Sequence, residues 1–153
     1  MSSLERERCI AVHTQIVQGK KEEPMINPKE DITKLPGTKK YFAIGETIVR
    51  EGEPSKGWFV LLNGRIGVVK RDLSITEFSE PGTVFGELGC FLEIPRTATL
   101  QALEPTSLLY VHLELDDLIE NHPAITKRII VSLADRIAHT TDAWWSVSAT
   151  RKR

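Results

Sequence analysis

The sequence is poor in cysteine and has no excess of either charge. Its 153 residues contain two cysteines, Cys9 and Cys90, which stand apart without a CxxC motif or a Cys/His cluster. We therefore expect neither a disulfide framework nor a structural zinc site, and two buried free thiols instead. Twenty Lys and Arg residues are balanced by twenty-one Asp and Glu residues, which leaves a net charge of −1. A balanced chain has no general positive field that would bind nucleic acid.

Long apolar runs are missing as well. The longest uncharged ones, such as Trp58–Leu62 and Ile129–Leu133, are far shorter than the ~20 residues that span a membrane. The first residues, Met-Ser-Ser-Leu-Glu-Arg-Glu-Arg, contain no apolar stretch of the kind found in secretory signals. We expect a cytoplasmic protein without a membrane segment. The 41% hydrophobic and 27% charged residues are ordinary globular values, and the length fits one domain.

Residues 1–37 are predicted to form a helical arm and a linker. In Leu4–Gln18 the apolar residues recur on one helical face, and Gly19 is placed to end the helix. The segment Lys20–Asp31 contains two prolines and many charges. This composition is typical of a connecting segment and not of a regular element.

Residues 38–112 are predicted to form an antiparallel β-sandwich or barrel. The segment consists of short apolar runs punctuated by glycine. The runs are Tyr41–Ile44, Thr47–Val49, Trp58–Leu62, Ile66–Val69, Ile75–Phe78, Thr97–Ala102 and Ser107–His112. Asn63-Gly64 predicts a type I′ turn with positive φ at both residues, so we expect the strands on either side of it to pair as a hairpin.

Residues 113–153 are predicted to contain two helices and a tail. Leu115, Leu118 and Ile119 indicate a short helix, which breaks around Asn121-His122-Pro123 and is followed by a helix to about Val147. One face of the long helix is formed by residues three and four positions apart: Ile130, Leu133, Ile137, Thr140 and Trp144. This face either packs on the β body or pairs with a second copy of itself.

The segment Glu80–Leu100 departs from the simple β pattern. A strand ends at Val84-Phe85, Gly86 follows, and a short helical turn is predicted at Glu87–Leu92. A glycine followed by a helix start directs backbone N–H groups and the positive end of the helix dipole towards an anion. The segment therefore has the local features of an anion site.

Two charged residues of this segment favour a sugar phosphate as the ligand. Arg96, nine residues after Glu87, can return across the loop and bind phosphate oxygens. Glu87 would repel a phosphate, but its carboxylate can accept a hydrogen bond from a sugar hydroxyl. The alternative is a salt bridge between Glu87 and Arg96 with no ligand, because such loop pairs are common.

The order Phe-Gly-Glu-Leu at 85–88, with Arg96 eight positions later and Thr-Ala-Thr after it, resembles the phosphate-binding cassette of cyclic nucleotide-binding domains. Gly45–Gly52 resembles the early strand pair of this family, and Trp58–Gly64 resembles its next hairpin. The resemblance extends from about residue 40 to about residue 145. It implies an α+β fold: an antiparallel β jelly roll (double-stranded β-helix) with an N-terminal helix, a cassette at about residues 85–99 and two C-terminal helices.

The resemblance also implies a set of ligand contacts. Arg96 would bind the cyclic phosphate and Glu87 the ribose 2′-hydroxyl, with further contacts from the Gly86 N–H and the Thr97 hydroxyl. Within the family the chain is most similar to the bacterial catabolite activators, cAMP-binding dimers whose long helix presents two hydroxyls to adenine. Thr140 and Thr141 occupy those positions, or else belong to plain helix surface. The predicted ligand-binding residues are Phe85, Gly86, Glu87, Leu88, Arg96, Thr97, Ala98, Thr140 and Thr141.

The identity of the nucleotide is less defined by the sequence. We favour cAMP because more of the flanking sequence is similar to the cAMP-binding branch. A threonine directly after the cassette arginine, Thr97, also resembles cGMP-selective members, so cGMP is the alternative ligand. The four histidines are scattered without a His-x-His motif, and no GxSxG motif or P-loop is present. We therefore expect no enzyme, no metal and no cofactor other than the nucleotide ligand.

The expected function is regulation by population shift, in which nucleotide binding moves the C-terminal helices and so affects an effector that the sequence does not identify. A homodimer through the long helix is expected. One alternative is a truncated transcription regulator, because the chain stops at Arg151-Lys-Arg153, where a helix-turn-helix would follow. Without that motif we expect no direct nucleic-acid binding. Another alternative is a degenerate interaction domain that binds no nucleotide.

Overall fold

The computed structural model of the chain describes residues 31–150. The predicted N-terminal helix at Leu4–Gln18 and the linker up to residue 30 lie outside the described residues. A 3-10 turn at Ile32–Lys34 comes first among the described elements, and Asp31 caps it by accepting a hydrogen bond from the Thr33 N–H.

Eight strands and three helices follow this turn. The strands are β1 (Thr38–Phe42), β2 (Thr47–Val49), β3 (Trp58–Asn63), β4 (Ile66–Lys70), β5 (Leu73–Phe78), β6 (Val84–Phe85), β7 (Thr99–Ala102) and β8 (Thr106–Val111). The helices are α1 (Glu87–Phe91), α2 (Leu115–Asn121) and α3 (Pro123–Thr150). These elements confirm the predicted α+β class. They also confirm the short helix at the cassette and the break before Pro123.

The strands form two four-stranded antiparallel sheets, with the orders β1-β8-β3-β6 and β2-β7-β4-β5. In the first sheet β3 lies between β8 and β6, so Phe59 of β3 is the register partner of both Tyr110 and Phe85. This central strand therefore carries side chains directly beside the strand that leads into the cassette.

The predicted β3–β4 hairpin is wrong. β3 pairs with β6 and β8, whereas β4 pairs with β5 and β7 in the other sheet. Asn63 remains in the strand and only Gly64 has a positive φ, +104°. A Cβ on Gly64 would lie 2.7 Å from the Pro105 carbonyl oxygen. The Asn-Gly pair therefore turns the chain from one sheet to the other against the β7–β8 connection, and does not close a ladder.

A turn with positive φ at two successive residues does occur, but between β4 and β5. Its central residues are Arg71, φ 49°, and Asp72, φ 63°. The Glu51 carboxylate accepts a hydrogen bond from the Arg71 N–H at 3.1 Å. This turn was not predicted, because Asp72 is of a type that tolerates positive φ but Arg71 is not, and no glycine is present.

Two apolar clusters flank the first sheet. Because side chains alternate along a strand, Trp58 and Val60 join the cluster with α2 and α3, while Phe59 and Leu61 join the cluster with the second sheet. The Trp58 indole N–H donates to the Leu113 carbonyl at 3.1 Å and so satisfies its buried polar atom. Phe59 thus points into the space between the sheets.

α3 packs on the β body through a different face from the one predicted. Ile125 and Ile129 are buried, and Leu133 is half-buried against the same cluster. The alternative in which the predicted face packs on the body is wrong except for Leu133: Ile130, Ile137 and Trp144 are 60%, 68% and 75% exposed. Among the described helices, none is long and apolar enough to cross a membrane.

Candidate functional site

The cassette begins where β6 ends and α1 starts. Gly86 precedes α1 with φ +72°, a conformation that favours glycine. A Cβ at this position would also lie 2.6 Å from Nη1 of Arg96. Glycine is therefore required at residue 86 both by the backbone and by the approach of the arginine.

The cassette helix ends in a strained turn. The Ile94 N–H donates to the Gly89 carbonyl at 3.0 Å and the Glu93 N–H to the Cys90 carbonyl at 3.4 Å. Glu93, two residues after the end of α1, has φ +53°. A non-glycine residue in this conformation lowers the free energy of unfolding. This turn directs the chain back towards Pro95 and Arg96.

Arg96 is buried, with 6% of its surface exposed, and among residues 31–150 the hydrogen-bond acceptors of its guanidinium are two neutral carbonyls. Nη1 donates to the Gly86 carbonyl at 2.9 Å and Nη2 to the Gly57 carbonyl at 2.7 Å. Burial lowers the pKa of Arg96 from its ordinary value, but an arginine remains cationic. Within residues 31–150 no carboxylate forms an ion pair with it. The remaining guanidinium N–H groups can therefore serve an anionic ligand.

The loop before β3 also holds the backbone of Arg96. The Gly52 N–H donates to the Arg96 carbonyl at 2.9 Å, and the Arg96 N–H donates to the Glu53 carbonyl at 2.8 Å. Together with the bond to the Gly57 carbonyl, the loop of residues 52–57 positions both the main chain and the side chain of the arginine.

Glu87 is 2% exposed and forms an ion pair with α3. Its Oε1 accepts a hydrogen bond from Nη1 of Arg136 at 2.7 Å, and Nη2 of Arg136 donates to the Val84 carbonyl at 2.6 Å. Burial raises the pKa of Glu87, and the Arg136 charge opposes this shift. The predicted alternative, a salt bridge between Glu87 and Arg96, is wrong, because Glu87 pairs with Arg136.

Arg136 is not among the residues predicted for the site. Its guanidinium carbon lies 5.2 Å from the centre of the Phe78 ring, and Phe78 contacts Phe85 edge-on at 5.4 Å. The only available signal was a basic residue one turn before Thr140, and helical spacing alone does not show that its side chain reaches the cassette. The packing of α3 against the barrel decides this contact.

The other predicted residues have varied surroundings. Phe85 is buried, Leu88 and Thr97 are exposed, and Ala98 is half-buried. Thr140 and Thr141 are exposed on α3, where their hydroxyls donate to the carbonyls of Arg136 and Ile137 at 2.8 and 2.9 Å. The structure thus brings Gly86, Glu87 and Arg96 together at the start of α1. The two threonines lie on the helix that supplies Arg136.

The site has no features of a metal centre. In the part of the chain that the structure describes, His, Cys, Asp and Glu residues form no group of three or more that could hold a metal ion. The charged groups described at the cassette are the buried cation Arg96 and the Glu87–Arg136 ion pair.

Two curated proteins are similar to parts of this chain. Lysophospholipase NTE1 of Coccidioides immitis is 32% identical over 103 residues, 64% of this chain and 6% of that protein. The CRP-like cAMP-activated global transcriptional regulator of Mycobacterium tuberculosis is 27% identical over 108 residues, 66% of this chain and 47% of that protein. The chain thus spans less than half the length of either relative.

A solved structure and a family model are also similar to this chain. The catabolite activator protein of Thermus thermophilus has a similar fold, with a TM-score of 0.62 at 21% identity over 73% of this chain and 55% of that chain. The family model of the cyclic nucleotide-binding domain matches residues 39–122, more than half of the chain. This chain therefore belongs to the cyclic nucleotide-binding domain family.

Proposed function

We propose that this chain is a cytoplasmic regulatory module that binds a cyclic nucleotide, with cAMP as the favoured ligand. The observation that carries the proposal is the state of Arg96, a buried cation whose described partners are two neutral carbonyls. A buried charge without an opposite charge is costly, and a bound anion would remove that cost. The phosphodiester of a cyclic nucleotide supplies a single negative charge with oxygens suited to a guanidinium.

The remaining contacts follow from the positions of the neighbouring groups. Arg136 engages Oε1 of Glu87, so we propose that Oε2 accepts the ribose 2′-hydroxyl. The Gly86 N–H and the Thr97 hydroxyl would add hydrogen bonds to the phosphate. A carboxylate beside the phosphate is tolerated because the Arg136 charge balances it and because its acceptor serves the sugar.

We propose that the Glu87–Arg136 ion pair couples the ligand to the helices. Arg136 joins α3 to the start of α1 and to the Val84 carbonyl of β6. A nucleotide that engages Glu87 therefore alters a direct contact of α3. An open groove of about 820 Å³, lined by Phe91 and Ile94 of the cassette and by Leu115 of α2, lies between the cassette and α2.

The choice of cAMP over cGMP rests on the helix side of the site. The hydroxyls of Thr140 and Thr141 lie one turn beyond Arg136, where they could contact the base, and the Mycobacterium tuberculosis relative is named as cAMP-activated. Thr97 supports the alternative, cGMP, through a hydroxyl directly after the cassette arginine. The proposed module regulates and does not catalyse.

We also propose that α3 pairs with α3 of a second copy. Ile130, Ile137 and Trp144 are exposed and seven residues apart, which gives one continuous apolar stripe along the helix. The test is the molar mass of the chain by light scattering, with Ile137→Glu against Val131→Glu, a similarly exposed position one residue off the stripe. We expect a dimer that only Ile137→Glu dissociates. A monomeric wild type with and without cAMP contradicts this pairing.

The test of ligand binding is isothermal titration of the chain with cAMP and cGMP in parallel. Arg96→Ala should abolish most of the binding, whereas Arg50→Ala, at an exposed arginine outside the cassette, should leave it unchanged. Circular dichroism of both variants establishes that they are folded. A wild type that binds neither nucleotide, or an Arg96→Ala variant with full affinity, contradicts the proposal.

A further inference from the structure

Tyr110, which the proposed site does not use, lies beside the groups that hold Arg96. Tyr110 on β8 and Phe59 on β3 are register partners, and their ring centroids are 4.9 Å apart. Phe59 in turn faces the Arg96 guanidinium, whose central carbon is 5.6 Å from the ring centroid. One aromatic contact of the arginine is therefore backed directly by the Tyr110 ring.

Tyr110 also contacts the residue whose carbonyl Arg96 uses. A Cβ on Gly57 would lie 2.8 and 2.9 Å from two atoms of the Tyr110 ring and 2.7 Å from the Val111 carbonyl oxygen. The Gly57 backbone is thus pressed against this ring, while its carbonyl accepts the Nη2 hydrogen bond of Arg96 at 2.7 Å. The same ring supports both the carbonyl and the aromatic contact.

The Tyr110 ring is itself held by its neighbours. The Lys40 ammonium on β1 lies 4.4 Å from its centroid, and the His112 ring packs edge-on at 4.3 Å. The side chain is half-buried between these groups and the cluster that contains Phe59. A ring confined on several sides has little rotamer freedom left to lose when a ligand binds.

We propose that Tyr110 is a positioning residue for phosphate binding, which acts through Phe59 and Gly57 to hold the Arg96 guanidinium in one orientation. This inference rests on the proposed function of the cassette. A guanidinium binds phosphate oxygens best when its planar fork is already oriented, because the ordering of a loose side chain subtracts from affinity. The contacts described above are made by atoms of the tyrosine ring.

The experiment is a double-variant cycle with cAMP affinity as the readout. Tyr110→Leu and Tyr110→Met remove the ring, Tyr110→Phe keeps it, and Tyr41→Leu changes an exposed tyrosine on β1 as the control. Each Tyr110 change is also made in Arg96→Lys, which retains a charge but cannot use the planar fork. Thermal melts show which variants are folded, and the Leu and Met variants each suffice for the cycle.

We expect about tenfold weaker binding in Tyr110→Leu and Tyr110→Met, and a change of less than about twofold in Tyr110→Phe and Tyr41→Leu. In Arg96→Lys the Leu and Met changes should cost less than about twofold, because the orientation that they disturb is already absent. An equal loss in both backgrounds, or no loss in a folded variant, overturns the role of Tyr110. A wild type that binds neither nucleotide overturns the proposed function first.

Discussion

The two buried charges of the cassette are stabilised in opposite ways. Glu87 at its start is paired with the opposite charge of Arg136, whereas Arg96 at its end contacts two neutral carbonyls. Compensation at Glu87 comes from α3, so this end of the cassette depends on the position of the helix. Among residues 31–150 no carboxylate forms an ion pair with Arg96. The Glu87–Arg136 contact thus joins two elements of the fold, whereas the Arg96 guanidinium has N–H groups that can bind an anion.

The largest effect should come from Arg136→Met, which breaks the ion pair with Glu87. Glu87 then remains buried without its partner, and we expect a loss of about 3 kcal/mol in the free energy of unfolding. The measurement is urea unfolding followed by tryptophan fluorescence. Lys127→Met, at an exposed position of the same helix, serves as the control and should change little. Equal stabilities of the two variants would show that the ion pair contributes nothing.

Gly86→Ala should disturb the position of Arg96. The backbone at φ +72° and the 2.6 Å approach of Arg96 Nη1 both oppose a Cβ. We expect a loss of about 1–2 kcal/mol in the free energy of unfolding, and about tenfold weaker cAMP binding because Arg96 must move.

Gly82→Ala separates the two causes of that loss. Gly82 has φ +88°, but a Cβ there would meet its nearest atom only at 3.6 Å. The control should lose comparable stability and keep its affinity for cAMP. If both alanine variants bind cAMP like the wild type, the approach of Arg96 to Gly86 has no role in binding.

The pH dependence of the free energy of unfolding should report on the burial of Glu87. Burial raises the folded-state pKa of Glu87, so its contribution to stability is complete below the unfolded pKa of about 4.3 and declines as the pH rises through the folded value. Glu87→Gln should remove this decline, which urea titrations from about pH 4 upwards would detect. Parallel pH profiles of the two proteins would contradict the shift.

Glu87→Gln should also weaken cAMP binding less than Arg96→Ala does. The amide oxygen can still accept a hydrogen bond from the ribose hydroxyl, whereas alanine has no group for the phosphate. Isothermal titration of the two variants measures the difference. An equal or greater loss in Glu87→Gln would show that the negative charge itself is needed.

The smallest effect, a gain in stability, is expected at Glu93, which lies between Glu87 and Arg96 along the chain. Glu93→Gly removes the strain of a side chain at φ +53° at the end of α1. The gain of about 0.5–1 kcal/mol is partly offset by the greater entropy of glycine in the unfolded chain. Thermal unfolding should show a slightly higher midpoint, and a lower one would mean that Glu93 makes a stabilising contact.

Local patterns predicted most of the elements but not all of their pairings. The apolar runs, the short cassette helix and the break before Pro123 depend on neighbouring residues, and these elements are present. The first strand is shifted, because it was predicted at Tyr41–Ile44 and lies at Thr38–Phe42. The Asn63-Gly64 hairpin failed because the same dipeptide can close a ladder or turn a chain between sheets. Here β3 and β4 belong to different sheets, and Gly64 lies against the Pro105 carbonyl.

The candidate site divides in the same way. Gly86, Glu87 and Arg96 were identifiable because their residue types and spacing suit a sugar phosphate within a single loop. Arg136 was not, because it lies 49 residues from Glu87 along the chain and reaches it only when α3 packs on the barrel. The Phe59–Tyr110 pair likewise depends on the register of β3 with β8.

The sequence by itself therefore determined the class of fold and the location of the short cassette helix, and it predicts the residues whose chemistry suits a cyclic phosphate. Periodicity, glycine positions and charge are properties of short segments, so the sequence alone contains them. Only the tertiary structure decided which buried charge is neutralised, which face of α3 stays exposed and which rings lie beside the arginine. Those outcomes depend on packing between segments that are distant along the chain, and no local pattern encodes that packing.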